Sequence, residues 1–477
     1  MFTDTETQKQ LNKGLYQQLC ALANKVGYSW VYIMVVAALS LIASVWAAEL
    51  IVYTIFIVAA VLICLLCRDL LPIAPLVVFS YIAPSVANNP GKNPESIFYP
   101  ENGGIYLLVL AAILLVVLVA RLCLDQEIGF RKIFREKYSL RLGIFALGGA
   151  YLLSGIGVEG YSEMAAKNIF FAFLQFVSIA LLYFVFAGSV KWEKAPRWYF
   201  PSIGVAVGYV LLLQLVNVYI TRGVIVDGVI QRVKIYTGWG MYNNVGGMLI
   251  MMLPFPFYFA CRQKTGWLGV LTAMIFLLGV GMTSSRGSIL TGSLVCILGC
   301  AVTMVYARNK RETFWVIAVT FCLVTVALGL CWETVSKLLQ VILEKKLETS
   351  RNDIYAEGLQ QFAKYPIFGG GFYPIDFVPW DFSVVGEFSD FFPPRWHNTV
   401  VQLLACCGVV GLGAYIFHCV QVAKVMFYNT SRLKAIIALS VVALMVSSML
   451  DCHFFNIGPV LFYSMALAVA EKTEGTE

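Results

Sequence analysis

The residues Arg395, Trp396, His397 and Asn398 stand directly before an apolar run that continues to Tyr415, with Gln402 one helical turn beyond Asn398. A helix needs none of these side chains to enter a bilayer. Histidine is the usual residue for accepting a proton near neutral pH. Asn398 and Gln402 share one helical face and suit the orientation of sugar or phosphate oxygens. Arginine is permanently charged and binds phosphate oxygens bidentately. Two other places repeat that signal: Arg232, with Lys234 just after it and Arg222 upstream, and Arg286 at the head of an apolar segment. Taken alone, His397 reads as an interfacial polar residue closing a span. Only the elements around it decide whether it meets the arginines.

Those elements are membrane helices. Of the 477 residues, 60% are hydrophobic and 13% charged, and the mean hydropathy is +0.79. A soluble chain is nearer half apolar and a quarter charged, so the composition implies a polytopic membrane protein. The first 27 residues are mostly polar and mixed in charge, without a cleavable signal-peptide pattern. The 13 cysteines lie mostly inside apolar runs and outline no disulfide or metal framework. The three His are far apart in sequence, so neither a metal site nor a cofactor is expected. The net charge of +7 suits membrane lipid headgroups and gives no reason to expect nucleic acid.

A span needs about 20 apolar residues. Fourteen candidates fit: 28–46, 49–67, 70–84, 105–124, 142–156, 167–189, 199–220, 241–260, 267–283, 288–306, 314–332, 398–418, 435–450 and 454–470, the third and fifth being short. The expected fold is an all-α polytopic membrane protein with 12–14 transmembrane helices. Its expected parts are a cytoplasmic N-terminal segment 1–27, eleven helices over 28–332, a large extracytoplasmic loop 333–397, three helices over 398–470 and a cytoplasmic tail 471–477.

Charge sets the expected orientation. With the N-terminus inside, Arg68, the cluster Arg121 to Arg141, Lys191, Lys194, Arg197, Arg262, Lys264, Arg308, Lys310, Arg311, Lys424, Arg432 and Lys434 all face the cytoplasm. The exceptions carry information. Arg222, Arg232 and Lys234 fall in outer loop 221–240, Arg286 at an outer helix mouth, and Lys337, Lys345, Lys346, Arg351, Lys364 and Arg395 in loop 333–397. Long loops translocate regardless of charge, which accounts for the last group but less well for Arg232 and Arg286. Clustered outward cations suggest an anionic ligand.

Loop 333–397 has a pattern of its own. Residues 334–350 read as an amphipathic helix with Leu339, Ile342, Leu343 and Leu347 on one face. A second helix begins near Ser350, carries Ile354, Tyr355, Leu359 and Phe362 on one stripe, and is stopped by Pro366 and glycines 369–371. An aromatic stretch from Phe372 to Trp396 follows, interleaved with Asp376, Asp381, Glu387 and Asp390. It suits sugar rings and hydroxyls, and equally a loop resting at the membrane interface.

Four segments carry a resemblance. RVKIYTGWGMYNNVGGMLIMMLP (232–254) leads from a basic residue through a glycine and paired Asn into a helix ending near Pro. MTSSRGSILTGSLV (282–295) starts a helix at Ser-Arg-Gly. SRNDIYAEGLQQFAKYPIFGGGF, from Ser350 to Phe372, is an Arg-led helix followed by Pro-x-x-Gly-x-Gly. HNTVVQLLACCGVVGLGAY, from His397 to Tyr415, is a His-Asn-x-x-x-Gln helix with Gly-x-x-Gly-Leu. In this order, over about 222–415, they resemble the O-antigen ligases and related O-antigen polymerases of bacterial envelopes.

The resemblance implies a GT-C-like membrane glycosyltransferase of the bacterial inner membrane, with its site facing the periplasm. It further implies transfer of a glycan from an undecaprenyl-pyrophosphate carrier to an acceptor hydroxyl: lipid A core in ligases, another carrier-linked repeat in polymerases, a protein in other relatives. Arg232 and Arg286 match the family's positions for the pyrophosphate, and His397 matches its general base. Arg222, Lys234, Arg351, Arg395, Asn398 and Gln402 would bind substrate. A helix N-terminus and Arg395 both oppose added positive charge on His397, which makes bound pyrophosphate the expected compensation.

Two other functions compete. A flippase or secondary transporter suits fourteen spans, but the span interiors carry almost no charge and no internal repeat is evident. A peptidoglycan-type polymerase would use an outer-loop carboxylate base, for which Asp353, Asp376, Asp381 and Asp390 are available. Asp451 and His453 read as a short polar loop between two spans. His418 reads as structural at a cytoplasmic helix end, and Gly408, Gly411 and Gly413 as close-packing positions.

Overall fold

The computed structural model describes residues 4–88, 96–97, 102–226, 229–261, 266–307, 309–330, 332, 336, 350–372 and 395–473. Arg262, Lys264, Arg308, the expected helix over 334–350 apart from Ser336 and Ser350, and the aromatic-acidic stretch 373–394 lie outside them. The described chain is helical, with a single hairpin of two-residue strands: β1 (Ile225–Val226) pairs antiparallel with β2 (Val229–Ile230).

Helix α1 (Asp4–Gly27) meets α2 (Trp30–Trp46) at 68°, and Ser29 caps α2 by accepting from Tyr32 N–H at 3.1 Å. The expected polar tail is thus a helix lying against the end of α3 (Glu49–Leu66): Tyr16 donates to Leu65 O, and Asn24 Oδ1 accepts from Arg68 N–H. There follow α4 (Ile73–Ile82), α5 (Gly104–Leu124), the short α6 (Phe130–Arg135), α7 (Arg141–Leu152), α8 (Tyr161–Ser189) and α9 (Tyr199–Thr221). The hairpin then leads to α10 (Tyr242–Met252), α11 (Phe255–Ala260), α12 (Gly266–Met282), α13 (Arg286–Tyr306) and α14 (Lys310–Leu330). The chain closes with α15 (Ser350–Lys364), α16 (Thr399–Phe427), α17 (Arg432–Ser448) and α18 (Ile457–Lys472).

This is an all-α, multi-pass membrane protein. Helices α3, α5, α8, α9, α13, α14 and α16 are long and apolar enough to cross a bilayer, and the bent α1–α2 pair makes up to eight. Each expected span is helical, though several are shorter than a crossing needs. α4 and α7 are only 10 and 12 residues, and 241–260 is split where Pro254, lacking an N–H, caps α11. On α5 and α14 the side chains of Leu108, Leu115, Val116 and Leu323 point outward, as lipid-facing helices require.

Polar contacts gather at two ends. One end joins Arg68 to Lys194 O (2.6 Å), Lys191 to Glu127, Arg121 to Asp125 (2.9 Å) and Lys472 to Glu136 (2.5 Å). The other joins the 84–88 segment, the 221–240 segment and the starts of α13, α15 and α16. α16 runs well past the expected limit at 418, so His418 lies buried inside it, with Nε2 2.8 Å from the Tyr463 hydroxyl.

α16 is interrupted at Gly408 (φ +62°, ψ −158°). The break strands the carbonyls of Ala405 and Cys406 and the N–H groups of Val409 and Val410, which cannot stay unpaired in an apolar interior. The turn after α15 meets all four. Gly370 and Gly371 donate to Ala405 O (2.7 Å) and Cys406 O (2.9 Å), while Val409 and Val410 donate to Pro366 O (2.9 Å) and Ile367 O (3.3 Å). Gly369 (φ +67°) sits so close that a Cβ would lie 2.2 Å from the Cys406 carbonyl carbon. The Pro-x-x-Gly-x-Gly segment therefore does more than end a helix; it locks the outer segment into α16. Gly408 touches this turn rather than a packed helix, and a Cβ at Gly413 would meet nothing within 4 Å, so Gly413 serves no close packing.

Candidate active site

The start of α16 is held from several sides. Asn398 is its N-cap: Oδ1 accepts from Val400 N–H (2.8 Å) and Val401 N–H (3.2 Å), and Nδ2 donates to Met449 O (2.8 Å). Gln402 is buried, and its Oε1 accepts from Trp396 N–H (3.0 Å) and lies 3.4 Å from Cys452 Sγ. Both amides thus serve the scaffold. α15 packs against this turn through Gly358, where a Cβ would come 2.5 Å from Val401, while Leu359 of the expected apolar stripe is largely exposed. Tyr355 donates to His397 O at 3.3 Å.

His397 itself has φ +49°, a left-handed conformation costly for a residue with a Cβ and typical of functional strain. Its Nδ1 lies 3.0 Å from Asp451 Oδ1, in the turn between α17 and α18. With Nδ1 committed there, Nε2 is the nitrogen left for a substrate proton. Asp451 also accepts from Cys452 N–H at 2.8 Å. Burial pushes its carboxyl up, but the His397 hydrogen bond, the charges of His453 and His397 and the Cys452 N–H outweigh it and hold the group well below the usual carboxylate range. Asp451 therefore stays anionic and can offset charge gained by His397. The compensation expected from bound pyrophosphate alone is partly built into the protein.

His453 is buried just beyond, packed on Gly247, with its Nδ1 3.4 Å from Asn456 Nδ2. Asn456 donates in turn to Asn244 Oδ1 (3.0 Å), one of the paired Asn at the head of α10. Burial lowers the His453 pKa against the pull of Asp451, and the positive charges of Arg395, His397 and Arg351 lower it further.

The arginines converge here. Arg232 lies in a 3-10 turn, its guanidinium 4.6 Å over the Tyr242 ring. It is half-buried, its Nε has no hydrogen-bond partner, and it pairs with no described carboxylate. Burial is the main cause lowering its pKa; Tyr242 opposes this, and the charges of Arg286 and Arg351 add to it. A guanidinium remains charged in proteins regardless, so this field is one that an anion relieves. Arg286 is the first residue of α13, where the helix N-terminus favours anions, and Ser284, two residues before it, is left-handed (φ +52°). Arg351 opens α15 and donates to Leu450 O at 2.8 Å, beside Asp451.

Arg222 and Lys234 sit a little apart: Arg222 covers the Tyr236 ring at 3.9 Å, and Lys234 Nζ donates to Gly223 O at 3.1 Å. Asp353 on α15 is exposed, and Asp376, Asp381 and Asp390 lie outside the described residues. Three-dimensional proximity of His397, Asp451 and His453 makes no metal-binding group of His, Cys, Asp or Glu among the described residues.

Asp451, read from the sequence as part of a short polar loop, is brought against His397 by the fold. Its signal was weak: one acid at the outer end of a span, 54 residues from the histidine it meets.

Residues 246–416 match the family model described as O-antigen ligase. Comparison with curated proteins finds no match. The match covers the segments that bear Arg286, Arg351, Arg395, His397 and the glycine turn.

Proposed function

We propose that this chain, whose residues 246–416 match the O-antigen ligase family model, is a membrane glycan-transferring enzyme that moves a glycan from an undecaprenyl-pyrophosphate carrier to an acceptor hydroxyl at the outer face of the bacterial inner membrane. The observation that carries this reading is the His397–Asp451 pair standing beside a convergence of arginines at one end of the helices.

The steps follow from these groups. Arg232 and Arg286, with Arg351 alongside, hold the pyrophosphate and take up the charge that appears as the sugar's C1–O bond to phosphate breaks. His397 Nε2 removes the acceptor hydroxyl proton as that oxygen bonds to C1. Asp451 fixes the ring through Nδ1 and steadies the imidazolium that forms. The carrier pyrophosphate leaves, and the proton passes from His397 to solvent or to that leaving group. The mechanism draws on the protein's own cations and needs no metal. Asn398 and Gln402 act one layer back by fixing the turn that presents His397.

The test is a transfer assay with purified protein and a carrier-linked glycan. Arg232→Ala and Arg286→Ala are each expected to lose about a hundredfold or more in rate, and Lys to restore little because it lacks the planar fork. Wild-type rates in both Ala variants would put the pyrophosphate elsewhere. Loss of rate in Asp353→Asn with His397→Gln still active would favour a carboxylate base and a peptidoglycan-type polymerase. Accumulated glycan in a deletion strain separates the family's branches: uncapped acceptor marks a ligase, single repeats a polymerase.

A further inference from the structure

We propose that Arg222 centres a second binding site, a subsite for an acidic sugar residue; this rests on reading the protein as a glycan transferase. A cavity of about 460 Å³ lies between the ends of α2 and α9 and the segments 84–87 and 237–238. Small-ligand sites usually measure roughly 300–1,000 Å³.

The walls are built. Gly238 lies against the backbone, where a Cβ would come 2.1 Å from Ser85 O and 2.2 Å from Pro84 O. Glu49 is fully buried and holds that facing segment, accepting from Ser85 N–H (2.5 Å) and Asn88 Nδ2 (2.7 Å). Gln214 ties the other side, donating to Ile82 O (2.7 Å) and accepting from Trp239 Nε1 (3.0 Å). The Glu49 carboxylate spends its oxygens on this segment and forms no ion pair with Arg222.

Arg222 is the only charged residue lining the cavity among the described residues. Its guanidinium carbon lies 3.9 Å from the Tyr236 ring centre, its Nη1 is buried without a hydrogen-bond partner, and no described carboxylate pairs with it. Asn217 supplies an amide to the lining, and Ser44, Thr221 and Thr237, whose protons go to backbone carbonyls, supply hydroxyl oxygens as acceptors. One guanidinium matches one carboxylate bidentately, and the neighbouring groups match sugar hydroxyls. A phosphate dianion is better served by the several cations at Arg232. The stretch from Arg232 to Gly240 joins the two sites, with Arg232 in one and Thr237 and Gly238 lining the other.

The test is saturation-transfer NMR on the full-length protein in lipid nanodiscs, with glucuronate, glucose and inorganic phosphate as probes. Glucuronate is expected to bind at least tenfold more tightly than glucose, and Arg222→Gln to lose at least tenfold. Asn217→Leu, which fills the cavity and leaves the charge, should weaken glucuronate too. Glucuronate binding unchanged in both variants overturns the proposal, and so does phosphate displacing glucuronate at equal concentration. Because no transfer is read, failure of the transferase reading would appear separately, as unaltered glycans in a deletion strain.

Discussion

His397 gains its meaning from Asp451. A carboxylate 3.0 Å from Nδ1 supplies both orientation and opposite charge. His397→Gln should therefore lower kcat about a hundred- to ten-thousandfold, the range of a positioned base, with carrier-glycan KM little changed. Asp451→Asn keeps the shape and removes the charge, and should also cost about a hundredfold or more in kcat. A large KM change with kcat intact in either variant would assign the pair to binding. His453 gives a separate pH signature. Burial lowers its pKa in the folded protein, so the unfolded chain binds the proton first as pH falls. Its share of stability is present above about 6.5 and lost progressively below it. Asp451, held low, keeps its share to much lower pH. Thermal unfolding in detergent should thus show Tm falling from pH 7.5 to 5.5, with a shallower slope in His453→Gln. Equal slopes in the two proteins would remove His453 as the cause.

At the scale of elements, the device that places the site is the mutual repair of two broken backbones. α16 opens at Gly408, and the turn 366–371 closes the gap with four hydrogen bonds, so α15 with Arg351 is carried at a set distance from His397. Gly369→Ala forces a Cβ onto the Cys406 carbonyl and into a left-handed backbone. The two penalties together should cost about 2–5 kcal/mol, read as a lower Tm and lost transfer activity. Gly413→Ala, whose Cβ would meet open space on the same helix, should leave Tm within a degree or two of wild type. Equal Tm values for both variants would show that the turn is not the anchor. Asn398 and Gln402 belong to the same scale, holding the turn from Trp396 to Val401.

For the whole molecule, the grouping of polar contacts at two ends is what a bilayer demands, since water-exposed charge is possible only there. The lysines and arginines choose which end faces the cytoplasm. In a cysteine-depleted variant, single cysteines at Glu159 and Glu357 should react with an impermeant maleimide in spheroplasts, while those at Arg131 and Glu193 should not; all four positions are exposed. The reverse pattern would invert the site and end the reading of an outward-facing transferase. The same experiment counts crossings: α4 and α7 are too short to span upright by themselves, so Glu159 also reports on whether α7 and α8 cross as a pair.

Hydropathy and charge are local quantities, and what depends on them was legible in the chain: the membrane class, the helix at every apolar run, the exposed cations, and the Arg232, Arg286 and His397 positions around which the family resemblance was drawn. The Ser-Arg-Gly start of α13 could be read for the same reason, because a helix terminus is set by neighbouring residues. Tertiary structure decided the rest. That Asp451 meets His397, that Asn398 ties its turn to Met449 O, that His418 lies buried deep in α16, and that the glycine turn fills a break in α16 are all pairings between segments far apart in sequence. No periodicity records them, since each follows from which unpaired polar group an apolar interior forces against which other.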